Sequence, residues 1–163
     1  MLAFALGDDA PGAVPARDAA AARVVVGAWE DLGPEAALVR TEVFVHEQYV
    51  PPEIELDDIE TQCIHAVAYG ADGRAVGTGR LLPDGHIGRM AVRAPWRGQG
   101  VGSLLLTALM AEARRRGDAQ VVLAAQLQAR PFYARHGFVA EGGTFMDAGI
   151  PHVLMRCHFA DAG

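Results

Sequence analysis

Met90-Ala91-Val92-Arg93-Ala94-Pro95-Trp96-Arg97-Gly98-Gln99-Gly100-Val101-Gly102 is the stretch on which the fold turns. Its first residues close an apolar run from His86 to Val92 that has strand character, and Arg93-Ala94-Pro95-Trp96 ends it. Beyond the glycines, Val101, Leu104, Leu105, Ala108, Leu109 and Ala113 recur at helical spacing, and arginines fill the last turn before Gly117. The pattern predicts a helix from Gly100 to Arg116. A loop between a strand and a helix offers N–H groups and the positive end of the helix dipole, which together hold anions. Gly98, Gly100 and Gly102 clear side chains from the approach, although such glycines also serve simple tight connections. A dinucleotide-binding fingerprint would place its third glycine where Ser103 stands and would open an early strand, helix, strand unit; neither is found.

Toward the N-terminus, Gly70-Ala71-Asp72-Gly73 separates two short runs, Ile64 to Tyr69 and Ala75 to Leu82, which read as an antiparallel hairpin; Pro83-Asp84-Gly85 turns the chain into the next strand. Residues Glu53 to Glu60 are acidic and irregular and read as a loop. Pro34 opens a helical stretch through about His46, with Leu38, Val39, Phe44 and Val45 expected on its buried side, before Val50-Pro51-Pro52 stops it. Val24-Val25-Val26 supplies a first strand over Arg23 to Trp29. Residues 1–22, alanine-rich and interrupted by Pro11 and Pro15, read as a loose extension before one domain over 23–163. Toward the C-terminus, Gln120 to Ala125 is an apolar strand, Ala129 to His136 a short helix, and Phe138 to Phe145 and His152 to Phe159 two closing strands. Antiparallel strands followed by a strand, helix, strand, helix unit indicate a mixed α+β (α/β) class.

At 163 residues, about half of them apolar, the chain supports one core. A net charge of −6 argues against nucleic acid as partner. No lysine occurs, which removes Walker-type phosphate loops, Schiff-base lysines and pyridoxal-phosphate anchors from consideration. Cys63 and Cys157 are too few for a disulfide framework and lack zinc-site spacing, so no metal is expected and reduced thiols in the cytoplasm fit best. Glycine, proline or charge interrupts every apolar run before the ~20 residues of a membrane-spanning helix, and Met1 to Leu6 has no basic lead of the kind an export signal carries.

Taken whole, Met90 to Gly102 resembles the signature of the GCN5-related N-acetyltransferases, and the family's Q/R-x-x-G-x-G/A pattern is complete in Arg97 to Gly102. A second stretch, Gln126-x-x-Ala129, Tyr133 and Gly137-Phe138, resembles that family's second cofactor motif. Arg40 to Gln48 and Gly149-Ile150-Pro151-His152 look like the ElaA-type subgroup. The resemblance, over about residues 23 to 159, implies a central, mostly antiparallel twisted sheet of six or seven strands flanked by about four helices and splayed between the fourth and fifth strands. It implies acetyl-coenzyme A, or another acyl-coenzyme A, as co-substrate. The backbone of Met90, Ala91 and Val92 would pair with the pantetheine arm, and Arg97, Gly98, Gln99, Gly100, Val101, Gly102 and Ser103 would hold the pyrophosphate. Gln126, where many relatives have asparagine, and Tyr133 would also touch the cofactor.

Acyl transfer requires a neutral amine, an oxyanion site and a proton donor for the departing thiolate. Tyr133 matches the family's donor, since a phenol with an ordinary pKa of about 10 is protonated at neutral pH, whereas a tyrosine there can equally serve as core packing. The N–H of Met90 is the oxyanion candidate by resemblance. No motif singles out a base among Glu42, Glu47, Glu53, Glu55, Asp57, His65, His86 and His152; Glu47 and His152 are favoured by their places beside the expected cleft. Arg40, Phe44, Arg80 and Arg89 are candidates for acceptor binding, Arg80 and Arg89 because arginine inside a strand pattern implies a ligand or an exposed face. The acidic run Glu53 to Glu60 would attract a cationic amine or be a solvated loop. The expected acceptor is a small-molecule or peptide amine, and the expected assembly a monomer or homodimer. Two rivals are an acyl-homoserine lactone synthase-like enzyme, suggested by Arg40, Phe44 and Glu55-x-Asp57-Asp58, and a non-catalytic acyl-coenzyme A sensor.

Overall fold

The valine run does form the first strand, but it stops at Gly27, and Trp29 already belongs to a helix in the computed structural model, which describes residues 22–160. Most of the expected N-terminal extension lies outside the described residues. Strand β1 (Arg23–Gly27) leads into α1 (Trp29–Arg40), which widens into a π-helical turn, Thr41–Glu47, closed by the Gln48 N–H donating to Val43 O at 3.0 Å. Pro34 lies inside α1 rather than opening it. Ala36, Val39, Arg40, Val43 and Phe44 are buried at the i, i+3, i+4, i+7, i+8 spacing of one helical face. Leu38 falls off that face and is 71% exposed, contrary to expectation.

The acidic segment is not a plain loop. It contains a short helix, α2 (Pro52–Glu55), and a 3-10 turn, Glu60–Gln62. Strands β2 (Ile64–Tyr69), β3 (Ala75–Leu81) and β4 (Ile87–Val92) then extend β1 into an antiparallel sheet of order β1-β2-β3-β4. Helix α3 (Val101–Arg115) follows, then β5 (Gln120–Gln126), α4 (Arg130–Arg135), β6 (Val139–Asp147) and β7 (Ile150–His158), forming a second antiparallel sheet of order β5-β7-β6. The two sheets join at one place among the described residues, a parallel bridge between His86 and Val122 where the Val122 N–H donates to Gly85 O at 3.1 Å. Beyond it β4 and β5 part, which is the splay expected between the fourth and fifth strands.

Helix α3 covers both sheets, burying Val101, Leu105, Leu106, Leu109, Met110 and Ala113, while Leu104 stays half-exposed. It lies close on β3 because two residues there have no side chain. A Cβ at Gly77 would come 2.8 Å from Leu105 Cδ1, 3.1 Å from Val101 Cγ1 and 3.2 Å from Ala91 O, and one at Gly79 would overlap Met90 Sδ. Since inserting side-chain volume into a filled core costs about 1–3 kcal/mol, Gly77→Val should lower the unfolding free energy by about that amount in a denaturant titration.

Candidate active site

Helix α3 begins at Gly100, whose φ of +88° lies in the left-handed region. The cap has no side-chain hydrogen bond, and the first turn carries no acidic residue. The N–H groups of Val101, Gly102 and Ser103 precede the first closed helical turn, made by the Leu104 N–H to Gly100 O at 3.1 Å. A Cβ at Gly100 would meet nothing within 4 Å, so the helix end faces open space, while an L-residue would be strained there by about 1–2 kcal/mol. Gly98 has a φ of +74°. These features fit a phosphate group, which takes N–H donors and the positive end of a helix dipole and would be repelled by a capping carboxylate.

Arg97 is fully buried. Its Nε donates to Val92 O at 2.8 Å, and its two terminal nitrogens fork onto both carboxylate oxygens of Glu47 at 2.7 Å each. The glycine loop is thereby tied to the end of β4 and to the π-helical turn. Gln99 Nε2 donates to Pro95 O at 3.1 Å, which braces the loop from within. Ser103 Oγ lies 2.9 Å from His136 Nε2, joining the first turn of α3 to the end of α4; burial and then the charge of Arg135 push that histidine below its ordinary value.

At the splay, β4 carries a bulge. Thr78 pairs with Ala91 and Arg80 with Gly88, so Gly79 alone stands opposite Arg89 and Met90. Ile87 and Met90, three residues apart, therefore both pack under α3, where strict alternation would send them to opposite faces. Ala91 packs instead with Val39, Val43, Phe44 and Val50, so Phe44 is a core residue beneath β4. Across the cleft, Gln126 ends β5 with its amide paired reciprocally to that of Gln48, at 2.9 and 2.8 Å, and accepting from Gln128 Nε2 at 2.6 Å. His152 pairs with Gln126 across β5 and β7, lies under the ring of Phe145, and is buried. Its Nδ1 is 2.7 Å from Ile150 O; a carbonyl only accepts, so the proton is on Nδ1 and the lone pair on Nε2. Burial pushes this histidine below its ordinary value despite that hydrogen bond, which keeps it neutral at pH 7. Tyr133 is buried on α4, edge-on to Phe132 and Phe138.

Arg80 and Arg89 are not on an exposed sheet face; both are 1% exposed. With Arg40 they meet Glu55, Asp57 and Glu60 in a network of three guanidinium groups and three carboxylates. Arg40 binds Glu55 and Glu60 at 2.6 Å each, and Arg80 binds Asp57 at 2.9 Å and Glu60 at 2.8 Å. Glu55, Asp57 and Glu60 are thus structural counter-ions, since a charge taken out of water must be paired, while Glu53 and Asp58 of the same segment stay exposed. Burial opposes Arg80's charge, but hydrogen bonds and charges from Asp57 and Glu60 outweigh it and raise its pKa, whereas burial and the charges of Arg80 and Arg40 draw Arg89 down to about 10. His65 Nε2 lies 2.9 Å from the Glu60 carbonyl, and burial lowers its pKa, so it sits neutral beside the network. Sequence analysis missed these partnerships, as well as the Glu47–Arg97 fork, because the partners lie in segments far apart in the chain.

The sequence profile of the acetyltransferase (GNAT) domain matches residues 28–159. The chain belongs to the GNAT acetyltransferase family. It is 40% identical over 137 residues to YjcF, an uncharacterized N-acetyltransferase of Bacillus subtilis, with 82% of this chain and 97% of that protein covered. Its GNAT fold superposes on an acyl-CoA N-acyltransferase from Pseudomonas aeruginosa with a TM-score of 0.73 at 32% identity, covering 83% of this chain and 99% of the other. It superposes on Escherichia coli ElaA with a TM-score of 0.75 at 25% identity, covering 83% and 99%. The GNAT fold implies an acyl-coenzyme A co-substrate.

The buried network sets how this GNAT domain responds to acid. For both Asp57 and Glu60, burial raises the pKa, but the arginine hydrogen bonds and charges prevail and hold them below their ordinary 3.8 and 4.5. Depressed carboxylates contribute stability above the ordinary value and lose it as pH falls through the folded one. Unfolding free energy should therefore drop below about pH 4.5 in denaturant titrations. Glu60→Gln, which leaves Arg40 and Arg80 short of one negative charge, should be about 3 kcal/mol less stable at pH 7 and show a shallower decline in acid.

Proposed function

We propose that the protein transfers an acetyl or short acyl group from acyl-coenzyme A to the amine of a small molecule or peptide, by direct attack within a ternary complex. The observation that carries this reading is the glycine-opened N-terminus of α3, with no acidic residue in its first turn, beside the place where β4 and β5 part. Pyrophosphate would be held by the N–H groups from Gln99 to Ser103, and the pantetheine arm would lie along the β4 backbone from Met90 to Val92, taking up groups that have no neighbouring strand. The thioester would then sit in the mouth of the splay.

His152 is the base in this scheme. Its neutral imidazole, oriented through Nδ1 by Ile150 O, would take a proton from the acceptor amine through Nε2. The amine nitrogen attacks the acyl carbon, and the carbonyl oxygen gains negative charge that the Met90 N–H would stabilise. As the C–S bond breaks, the Tyr133 hydroxyl would protonate the leaving thiolate; once the products leave, Tyr133 would regain one proton and His152 would lose one, which restores both groups. Glu47 we assign to holding Arg97, because both of its oxygens are engaged there.

Calorimetric titration with acetyl-coenzyme A, coenzyme A and NADH tests the reading: the first two should bind at micromolar concentration and NADH should not. Gly100→Glu, which puts a carboxylate at the anion site, should abolish that binding. Tyr133→Phe should keep it and lower kcat at least about 10-fold, the usual size of a general-acid contribution being 10²–10⁴. Equal binding losses in the two variants would refute this division of roles. The active form of His152 is neutral, so kcat/KM should fall on the acid side with a midpoint below the ordinary histidine value of 6.5, and a profile unchanged in His152→Gln would remove it as the base.

A further inference from the structure

Arg89 occupies a backbone position that ordinarily goes to glycine. Its φ is +50°, in the left-handed region, at the first of the two bulge residues that face Gly79. A bulge of this kind takes glycine at no steric cost, and an L-residue there must be held by its surroundings. The hold is visible in the side chain. Arg89 is 1% exposed, its Nε donates to Glu55 O at 3.0 Å, and its terminal nitrogen lies 3.5 Å from Asp57 Oδ2. The same Glu55 carbonyl accepts from Arg40 at 3.0 Å, so α1, the segment Glu55 to Glu60 and the bulge share one anchor. The residue after Arg89 is Met90, whose backbone direction follows from how the bulge is turned.

We infer that Arg89 is a positioning residue: its buried guanidinium, fixed on the segment Glu55 to Glu60, holds the β4 bulge so that the Met90 N–H meets the thioester carbonyl oxygen. This rests on the acyl-transfer reading above. The juxtaposition explains why a strained arginine stands where glycine would be free of strain, and why the charge network lies beneath the splay rather than elsewhere in the sheet. Arg80, whose side chain serves the same network, does not have a left-handed backbone and lies outside the bulge.

The test uses acetyl-coenzyme A labelled with 13C at the thioester carbonyl and requires no acceptor. Calorimetry measures its affinity, and infrared difference spectroscopy measures the carbonyl stretch, which moves to lower wavenumber when an N–H donor engages the oxygen. In the unmodified protein the bound carbonyl should be shifted relative to free acetyl-coenzyme A. In Arg89→Gly, which relieves the backbone and removes the anchor, the affinity should stay within about 3-fold while the shift is lost. If that variant does not fold, Arg89→Lys retains the charge but cannot reproduce both contacts, and it should show a reduced shift at similar affinity. No binding by the unmodified protein would overturn the acyl-coenzyme A reading itself. Binding with no carbonyl shift, or a shift of equal size in the variants, would leave that reading intact and overturn the positioning role of Arg89.

Discussion

Six charges, five of them buried and Asp57 partly so, hold one another in place, and much of the molecule is arranged around their satisfaction. Arg40 comes from the end of α1, Arg80 from β3, Arg89 from β4, and the carboxylates from the segment that bridges α2 and β2. Each ion alone would cost several kcal/mol to bury, so the set is favourable only when complete. Its completeness fixes the distance between helix layer and sheet, and it gives an otherwise irregular acidic stretch a single path. The hydrophobic clusters on either side supply area, but area is indifferent to register. The arginine forks are not, because a guanidinium meets a carboxylate in few geometries.

The second governing constraint is the parting of β4 and β5. A sheet that continued across this point would saturate its backbone groups and leave nothing for a ligand. Here the two sheets are fastened at His86 and Val122 and open from there, while α3 spans both so that the opening does not become a hinge. The glycines of β3 let that helix press close, and the Arg97 fork ties the loop at its head to β4 and to the π-helical turn. Glycine loop, strand edge and π-helical turn are therefore parts of one braced frame.

Much of this was legible in the chain. The strand, glycine loop and helix around Gly100 stand out because period, punctuation and composition agree there, and the hairpin at Gly70 to Gly73 is equally local. What was not legible is non-local. Arg80 and Arg89 read as residues facing a ligand or solvent because their counter-ions lie twenty or more positions away, in a run that by itself looks solvated. Glu47 and Arg97, fifty positions apart, offered no pattern at all. The bulge in β4 left no mark either, since an arginine at positive φ is what propensity argues against. Leu38 departs from its apolar character for a simpler reason: it falls off the helical face that Ala36, Val39, Val43 and Phe44 share.

The network's cations are all guanidinium groups, and so is every other permanently cationic side chain, because the chain contains no lysine. Guanidinium stays protonated under physiological conditions and offers no lone pair to a thioester. A protein that holds an activated acyl group beside its own surface thus presents it with no side-chain amine to modify. The absence of a lysine to acylate comes from the same residue choice that gives the interior its forked ion pairs.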